Sequence, residues 1–161
     1  MLQSGAADIG IPPEMQRTCW LRSGALIAIV DTGPLHAVAD LSDVDHKRCR
    51  DTLERGDLHL VIPALVVAET TQLIEQRLGP EAEARFLSGV SEFEIELPAK
   101  EDWARIAELV GRYADFPLGG VDASVVALAE RLNSDTVITL DHRHFRAVRP
   151  AHCEAFKLLP E

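Results

Sequence analysis

The stretch Ala25-Leu26-Ile27-Ala28-Ile29-Val30-Asp31-Thr32 decides the fold. Six apolar residues run without a polar interruption and stop at a carboxylate. A run this short, apolar at every position and rich in Ile and Val, reads as a buried strand of the kind found in helix-covered parallel sheets. An acid beside that much hydrocarbon is costly to ionise unless a cation or a hydrogen-bond network compensates it. The same juxtaposition recurs three times. Glu69 follows Leu65-Val66-Val67-Ala68, Asp122 lies within Gly120-Val121-Asp122-Ala123-Ser124-Val125-Val126, and Asp141 ends Thr136-Val137-Ile138-Thr139-Leu140. Four such acids from distant parts of the chain imply one shared site. Carboxylates gathered around hard divalent cations, which take oxygen ligands and keep some of their waters, account for all four together.

Working outward, strands and helices alternate. The segment Asp43 to Arg55, capped by an Asp and ended by Gly56, predicts a short helix, and Leu58 to Ile62 a short strand. Pro63 suits the first turn of a helix running to about Leu78, which puts Glu69 on that helix, with Gly79-Pro80 as its stop. Glu81 to Val90 continues helical, and Phe93 to Leu97 predicts a strand. Lys100 to Tyr113 has helical period, with Trp103, Ile106, Ala107 and Val110 on one face. Gly119-Gly120 opens a helix to Leu132, Asp135 to Leu140 is a buried strand, and Ala155 to Leu159 a final edge strand. The expected class is therefore α/β, with a mostly parallel central sheet and helices on both faces. Ligands of such sheets bind outside the carboxyl ends of the strands, where Asp31 and Asp141 fall.

A chain of 161 residues matches one domain and buries ~70% of its unfolded surface, enough for a core without covalent staples. Residues 1–24 carry Gly, Pro and Ser without period and read as a loosely ordered extension or a misplaced start; residues 25–161 form the domain. The apolar run at Ala25 is far below the ~18 residues of a membrane span and lacks a cleavage pattern, so a cytoplasmic protein without membrane contact is expected. Cys19, Cys49 and Cys153 are odd in number, without metal-binding spacing, and fit reduced structural thiols. The net charge of −10 argues only weakly against a nucleic-acid partner. A site of four carboxylates is itself negative until a cation fills it, and local cations such as Arg143 and Arg146 would meet phosphate. The charge favours a basic protein partner.

Val30-Asp31-Thr32 after a strand, Val67-Ala68-Glu69 in a helix, Gly120-Val121-Asp122-Ala123 opening another, and Thr139-Leu140-Asp141-His142-Arg143-His144-Phe145 after a late strand resemble, in order, the acidic motifs of PIN-domain ribonucleases. The likeness is nearest to the VapC toxins of bacterial type II toxin–antitoxin modules and covers about residues 26–160. It implies a PIN-like fold and metal-dependent hydrolysis of RNA phosphodiester bonds. Asp31 and Asp122 would be the main ligands of Mg²⁺ or Mn²⁺, with Glu69 and Asp141 holding a second ion or the attacking water. Thr32 would orient Asp31, with Thr139 in support. The resemblance also implies a cognate VapB-like antitoxin with a basic C-terminal segment, and a homodimer.

Plainer roles stand beside these. Glu69 could be an exposed helix residue, and Asp122 a first-turn acid favoured by the helix dipole, a role compatible with metal binding. His142 and His144 flank Arg143 and read as loop residues near RNA or solvent. Trp20, Trp103, Phe116 and Phe145 belong to no basic-aromatic interleave and read as packing residues. A phosphatase of the haloacid-dehalogenase type needs a second Asp two residues after the first, where this chain has Gly33, and a lysine at a strand end, whereas Lys47, Lys100 and Lys157 are not so placed. A PIN-like binding module that no longer cleaves, or a PIN nuclease outside a toxin pair, is the other alternative.

Overall fold

The computed structural model describes residues 25–116 and 118–161, so the expected extension over residues 1–24 lies outside the described residues. Five strands, β1 (Leu26–Val30), β2 (Leu58–Pro63), β3 (Glu94–Glu96), β4 (Thr136–Ile138) and β5 (Lys157–Leu159), form one sheet in the order β3-β2-β1-β4-β5. Every pairing is parallel. The helices are α1 (Thr32–Ala39), α2 (His46–Leu53), α3 (Ala64–Leu78), α4 (Pro80–Val90), α5 (Lys100–Arg112), α6 (Gly120–Arg131) and α7 (His142–Ala147).

Hydrophobicity orders the sheet. β1 takes the centre, with Ala28, Ile29 and Val30 inaccessible to solvent, and all three residues of β4 are buried beside it. The polar strand β3, Glu94-Ile95-Glu96, and the short β5 occupy the edges, where charge discourages pairing with another chain. Between α3 and α4, Gly79 takes φ +86°, a conformation open to glycine at no steric cost. Its N–H donates to the carbonyls of Ile74 and Glu75 before Pro80 restarts the chain as the first residue of α4.

Two helices go beyond the sequence reading. α1 contains Gly33 and Pro34, poor helix formers, but Pro34 lies in the first turn, where its missing N–H has no intrahelical partner to lose. Asp31 caps this helix, and Leu35 and Val38 bury it. α7 has six residues and places His142 and His144 on a helix in place of the expected loop. The orientation of α5 also differs. Trp103 is 53% exposed and Val110 39%, while Asp102, Ile106 and Leu109 face inward. Polar pairing sets that rotation. Arg105 forks onto Glu130 of α6 with two contacts of 2.8 Å, and Asp102 accepts from Arg131 Nε at 2.9 Å and from Ala99 N–H at 2.8 Å. Phe145 is a core residue, as expected, and Cys49 is a buried thiol whose pKa burial pushes up to about 11.

Candidate active site

Strand order creates the site. The chain leaves β1 toward β2 and β3 on one side and returns to β4 and β5 on the other, which opens a crevice beyond the carboxyl ends of β1 and β4. Asp31 is the first residue past β1. Its N–H donates to the Ile138 carbonyl at 2.9 Å and so extends the β1–β4 ladder by one rung. That rung sets its carboxylate against Thr139. Oδ2 accepts from Thr139 Oγ1 at 2.6 Å, and Oδ1 accepts from Thr32 N–H at 2.7 Å as the cap of α1.

The remaining acids are attached to this pair through short polar links. Thr139 Oγ1 accepts from Asp141 N–H at 2.9 Å, so one hydroxyl serves both strand-end acids. Thr32 Oγ1 donates to Glu69 Oε2 at 2.5 Å and ties α3 to the start of α1. Thr32 therefore contacts Asp31 through its backbone N–H and Glu69 through its hydroxyl. Asp122 lies in the first turn of α6 and reaches back to Gly119 N–H at 3.3 Å. Asp141 caps α7 by accepting from His144 N–H at 3.0 Å, and its other oxygen lies 2.7 Å from His144 Nδ1. Asp31 is buried; Glu69, Asp122 and Asp141 are partly exposed.

All four carboxylates line one open pocket of about 510 Å³, together with Thr32, His142 and Arg143. Arg146, the other expected RNA contact, is exposed on α7 but is not part of that lining. Gly33 is at the pocket floor, where a Cβ would meet Leu140 Cβ at 3.2 Å. A second acid there, as a haloacid-dehalogenase-type phosphatase requires, would need Leu140 to give way by a few tenths of an ångström.

Burial pushes the Asp31 carboxyl up to about 6. The neighbouring Asp122 and Glu69 add to the rise, against the lowering effect of the Thr139 and Thr32 hydrogen bonds. The Asp122 carboxyl is also raised, first by burial and then by Asp141 and Glu69, with Gly119 N–H and His144 pulling the other way. Carboxylates that resist ionisation because water is scarce and like charges are near are stabilised as anions by a cation. An all-oxygen donor set also suits a hard divalent ion. Among the described residues no three of these side chains close on a single point.

Two features of the site escaped the sequence reading. His144 is a direct partner of Asp141, and the Asp141-x-x-His144 spacing, which puts the acid at a helix cap and the histidine at the third helical position, was the available signal. Phe116 is the other. It meets Arg143 and His144 from a turn far away in sequence, and no local pattern signals that contact.

Comparison with known proteins agrees with this fold. The PIN domain family model matches residues 28–150. Ribonuclease VapC26 of Mycobacterium tuberculosis (strain ATCC 25618 / H37Rv) is 33% identical over 134 residues, covering 82% of this chain and 99% of the relative. Among solved structures, VapC20 of Mycobacterium tuberculosis, described as a sarcin-ricin loop cleaving toxin, superposes with a TM-score of 0.62 at 18% identity, over 68% of this chain and 86% of that one. VapBC2 of Rickettsia felis, solved bound to a DNA fragment from their promoter, gives 0.64 at 14% identity, over 84% of this chain and 100% of that one. At those identities the two structures speak to the fold. With the family model spanning the sheet from β1 through β4 and a curated relative aligned along nearly its whole length, the chain belongs to the PIN-domain family, in its VapC group.

Proposed function

We propose that this chain is a metal-dependent ribonuclease that hydrolyses RNA phosphodiester bonds as the toxin of a toxin–antitoxin pair. The observation that carries this reading is the convergence of Asp31, Glu69, Asp122 and Asp141 on one open pocket at the crevice between β1 and β4. Asp31 and Asp122 are the residues that would hold Mg²⁺ or Mn²⁺, with Glu69 and Asp141 acting through water or a second ion. When bound, such an ion activates a water and neutralises charge building on the phosphate. The chain's own residues supply the positioning. Thr139 fixes the Asp31 carboxylate and the Asp141 backbone together, Thr32 holds Glu69, and Asp141 is held in turn by the first turn of α7. Arg143, at the same pocket, provides a cation for a phosphate oxygen.

The partner follows from charge. A net charge of −10 and an acidic pocket suit a VapB-like antitoxin whose basic C-terminal segment covers the site. A homodimer in the cytoplasm is part of the same proposal; no helix among the described residues is long and apolar enough to cross a membrane. A PIN-like module that binds without cleaving is disfavoured by the retention of all four acids. Incubation of the purified chain with cellular RNA, in Mn²⁺ and in EDTA, tests the proposal: metal-dependent fragmentation is expected, and intact RNA in both would overturn it.

Two further outcomes are expected. Thr139→Val keeps the shape of the side chain and removes the hydroxyl shared by Asp31 and Asp141. Loss of an oxygen that orients a ligand lowers activity by roughly 10- to 100-fold, measured as initial cleavage rate, and an unchanged rate would remove Thr139 from the site. We also place the nuclease domain at residues 25–161. A chain beginning at Ala25 is expected to melt and cleave like the full-length protein, because residues 1–24 lack the apolar period needed to join a core. Loss of folding or of cleavage in that shorter chain would show that residues 1–24 belong to the domain.

A further inference from the structure

We propose that Phe116 is a positioning residue that holds Arg143 at the mouth of the acidic pocket as its phosphate-receiving cation; the proposal rests on the ribonuclease reading above. Arg143 shares its pocket with four carboxylates. Arginine in such company ordinarily forks onto an acid, as Arg105 does onto Glu130. Among the described residues Arg143 makes no ion pair of that kind. Its guanidinium carbon lies 5.1 Å from the ring centroid of Phe116, over the aromatic face.

The ring is fixed from several directions. Phe116 N–H donates to the Tyr113 carbonyl at 2.9 Å, closing the turn after α5. Tyr113 Oη accepts from Arg149 N–H at 2.9 Å, which ties that turn to the segment following α7. The Phe116 and His144 rings pack T-shaped, with centroids 5.0 Å apart at 80°, and His144 is in contact with Asp141. A residue from the turn after α5 is thereby set against the helix that Asp141 caps and that carries Arg143.

The chemistry of the arrangement is specific. A fork onto Asp122 or Asp141 would neutralise an acid that the cation needs and would occupy donors that the phosphate needs. An aromatic face attracts the guanidinium through its quadrupole without using any N–H, so all five donors stay available. The positive charge stays at the pocket, and the carboxylates stay free.

The test is equilibrium binding of a short fluorescein-labelled single-stranded RNA, read by anisotropy over a range of NaCl, with Ca²⁺ replacing Mg²⁺. Arg143→Ala is expected to lower the slope of log affinity against log salt by about 0.7, the loss of one phosphate contact. Phe116→Leu is expected to weaken binding roughly three- to fivefold with a shallower salt slope, while its melting temperature stays that of the wild type. The double variant should bind no more weakly than Arg143→Ala alone. Phe116→Trp, which keeps a π face, should retain wild-type affinity and slope. Wild-type affinity and slope in Phe116→Leu, or additive losses in the double variant, would overturn the positioning role while leaving a cleaving wild type a ribonuclease. A wild type that neither binds nor cleaves RNA would overturn both. In the wild type itself, NMR is expected to show the Arg143 side-chain protons shielded by the ring, and unshielded resonances would also overturn the proposal, whether or not Phe116→Leu folds.

Discussion

Asp31→Asn is expected to abolish RNA cleavage while leaving the protein folded and, without metal at pH 7.5, more stable than the wild type. The carboxylate that caps α1 and receives the Thr139 hydroxyl is also the most deeply buried of the four acids. Removing its charge deprives a bound cation of a principal ligand. The several kcal/mol of transition-state charge stabilisation that such an ion supplies corresponds to a rate loss on the order of 10³ or more. Stability moves the other way. A carboxyl raised from its ordinary 3.8 to about 6 costs about 3 kcal/mol to keep ionised in the fold, and the neutral amide avoids that cost. Asparagine can still accept from Thr32 N–H and, with its amide group, donate to Thr139 Oγ1, in place of the bond that the Thr139 hydroxyl donates to the carboxylate. Cleavage assays and urea denaturation in EDTA, on the same preparations, check both halves. A variant that cleaves like the wild type would show that Asp31 is not a ligand; one that unfolds would show that its charge serves the structure.

Metal and pH should act on stability together. The folded pKa of Asp31 lies above its unfolded value, so its contribution is fully present below about pH 4 and is lost as pH rises through about 6. The raised Asp122 acts in the same direction. The carboxyls lowered in the fold, Asp40, Asp57, Glu108, Glu130 and Asp135, work with the opposite sign. Their contribution is present above the ordinary carboxylate range and disappears only in stronger acid. Between pH 5 and 7.5 the active site therefore dominates this balance, and the metal-free protein should melt lower at pH 7.5 than at pH 5. Mn²⁺ should reverse the loss. At about a hundred times its dissociation constant, linkage adds ~2.7 kcal/mol at pH 7.5, and less at pH 5, where protons compete for the same oxygens. Melting curves at both pH values, each with Mn²⁺ and with EDTA, measure this. Equal shifts at the two pH values, or none, would be incompatible with a carboxylate metal site.

The rise of Asp31 to about 6 could not have been given a magnitude from the acids' positions in sequence. Proximity to hydrocarbon marked all four, yet only Asp31 proves deeply buried, while Glu69, Asp122 and Asp141 keep access to solvent. Burial here depends on the β1–β4 rung and the helices that cover it.

What the chain determined by itself is local and periodic. The apolar runs that become β1 and β4, the Gly79-Pro80 break, and acids placed at strand ends and in a helix's first turn are each recorded within a few residues. They were enough to give the α/β class, the parallel sheet and the four acids. Tertiary structure alone decided the rest. α1 forms through Gly33 and Pro34 because a cap and buried Leu35 and Val38 outweigh weak propensity. α5 turns Trp103 outward because Arg105 and Asp102 find Glu130 and Arg131 across the helix pair. Arg143 lies over the ring of Phe116, which reaches it from another turn, and among the described residues it forms no ion pair with a carboxylate. Each of these outcomes rests on partners about 25 or more residues apart, or on burial that many segments create jointly. Neither leaves a periodic trace in a single sequence, since the energy belongs to the contact and not to either residue alone.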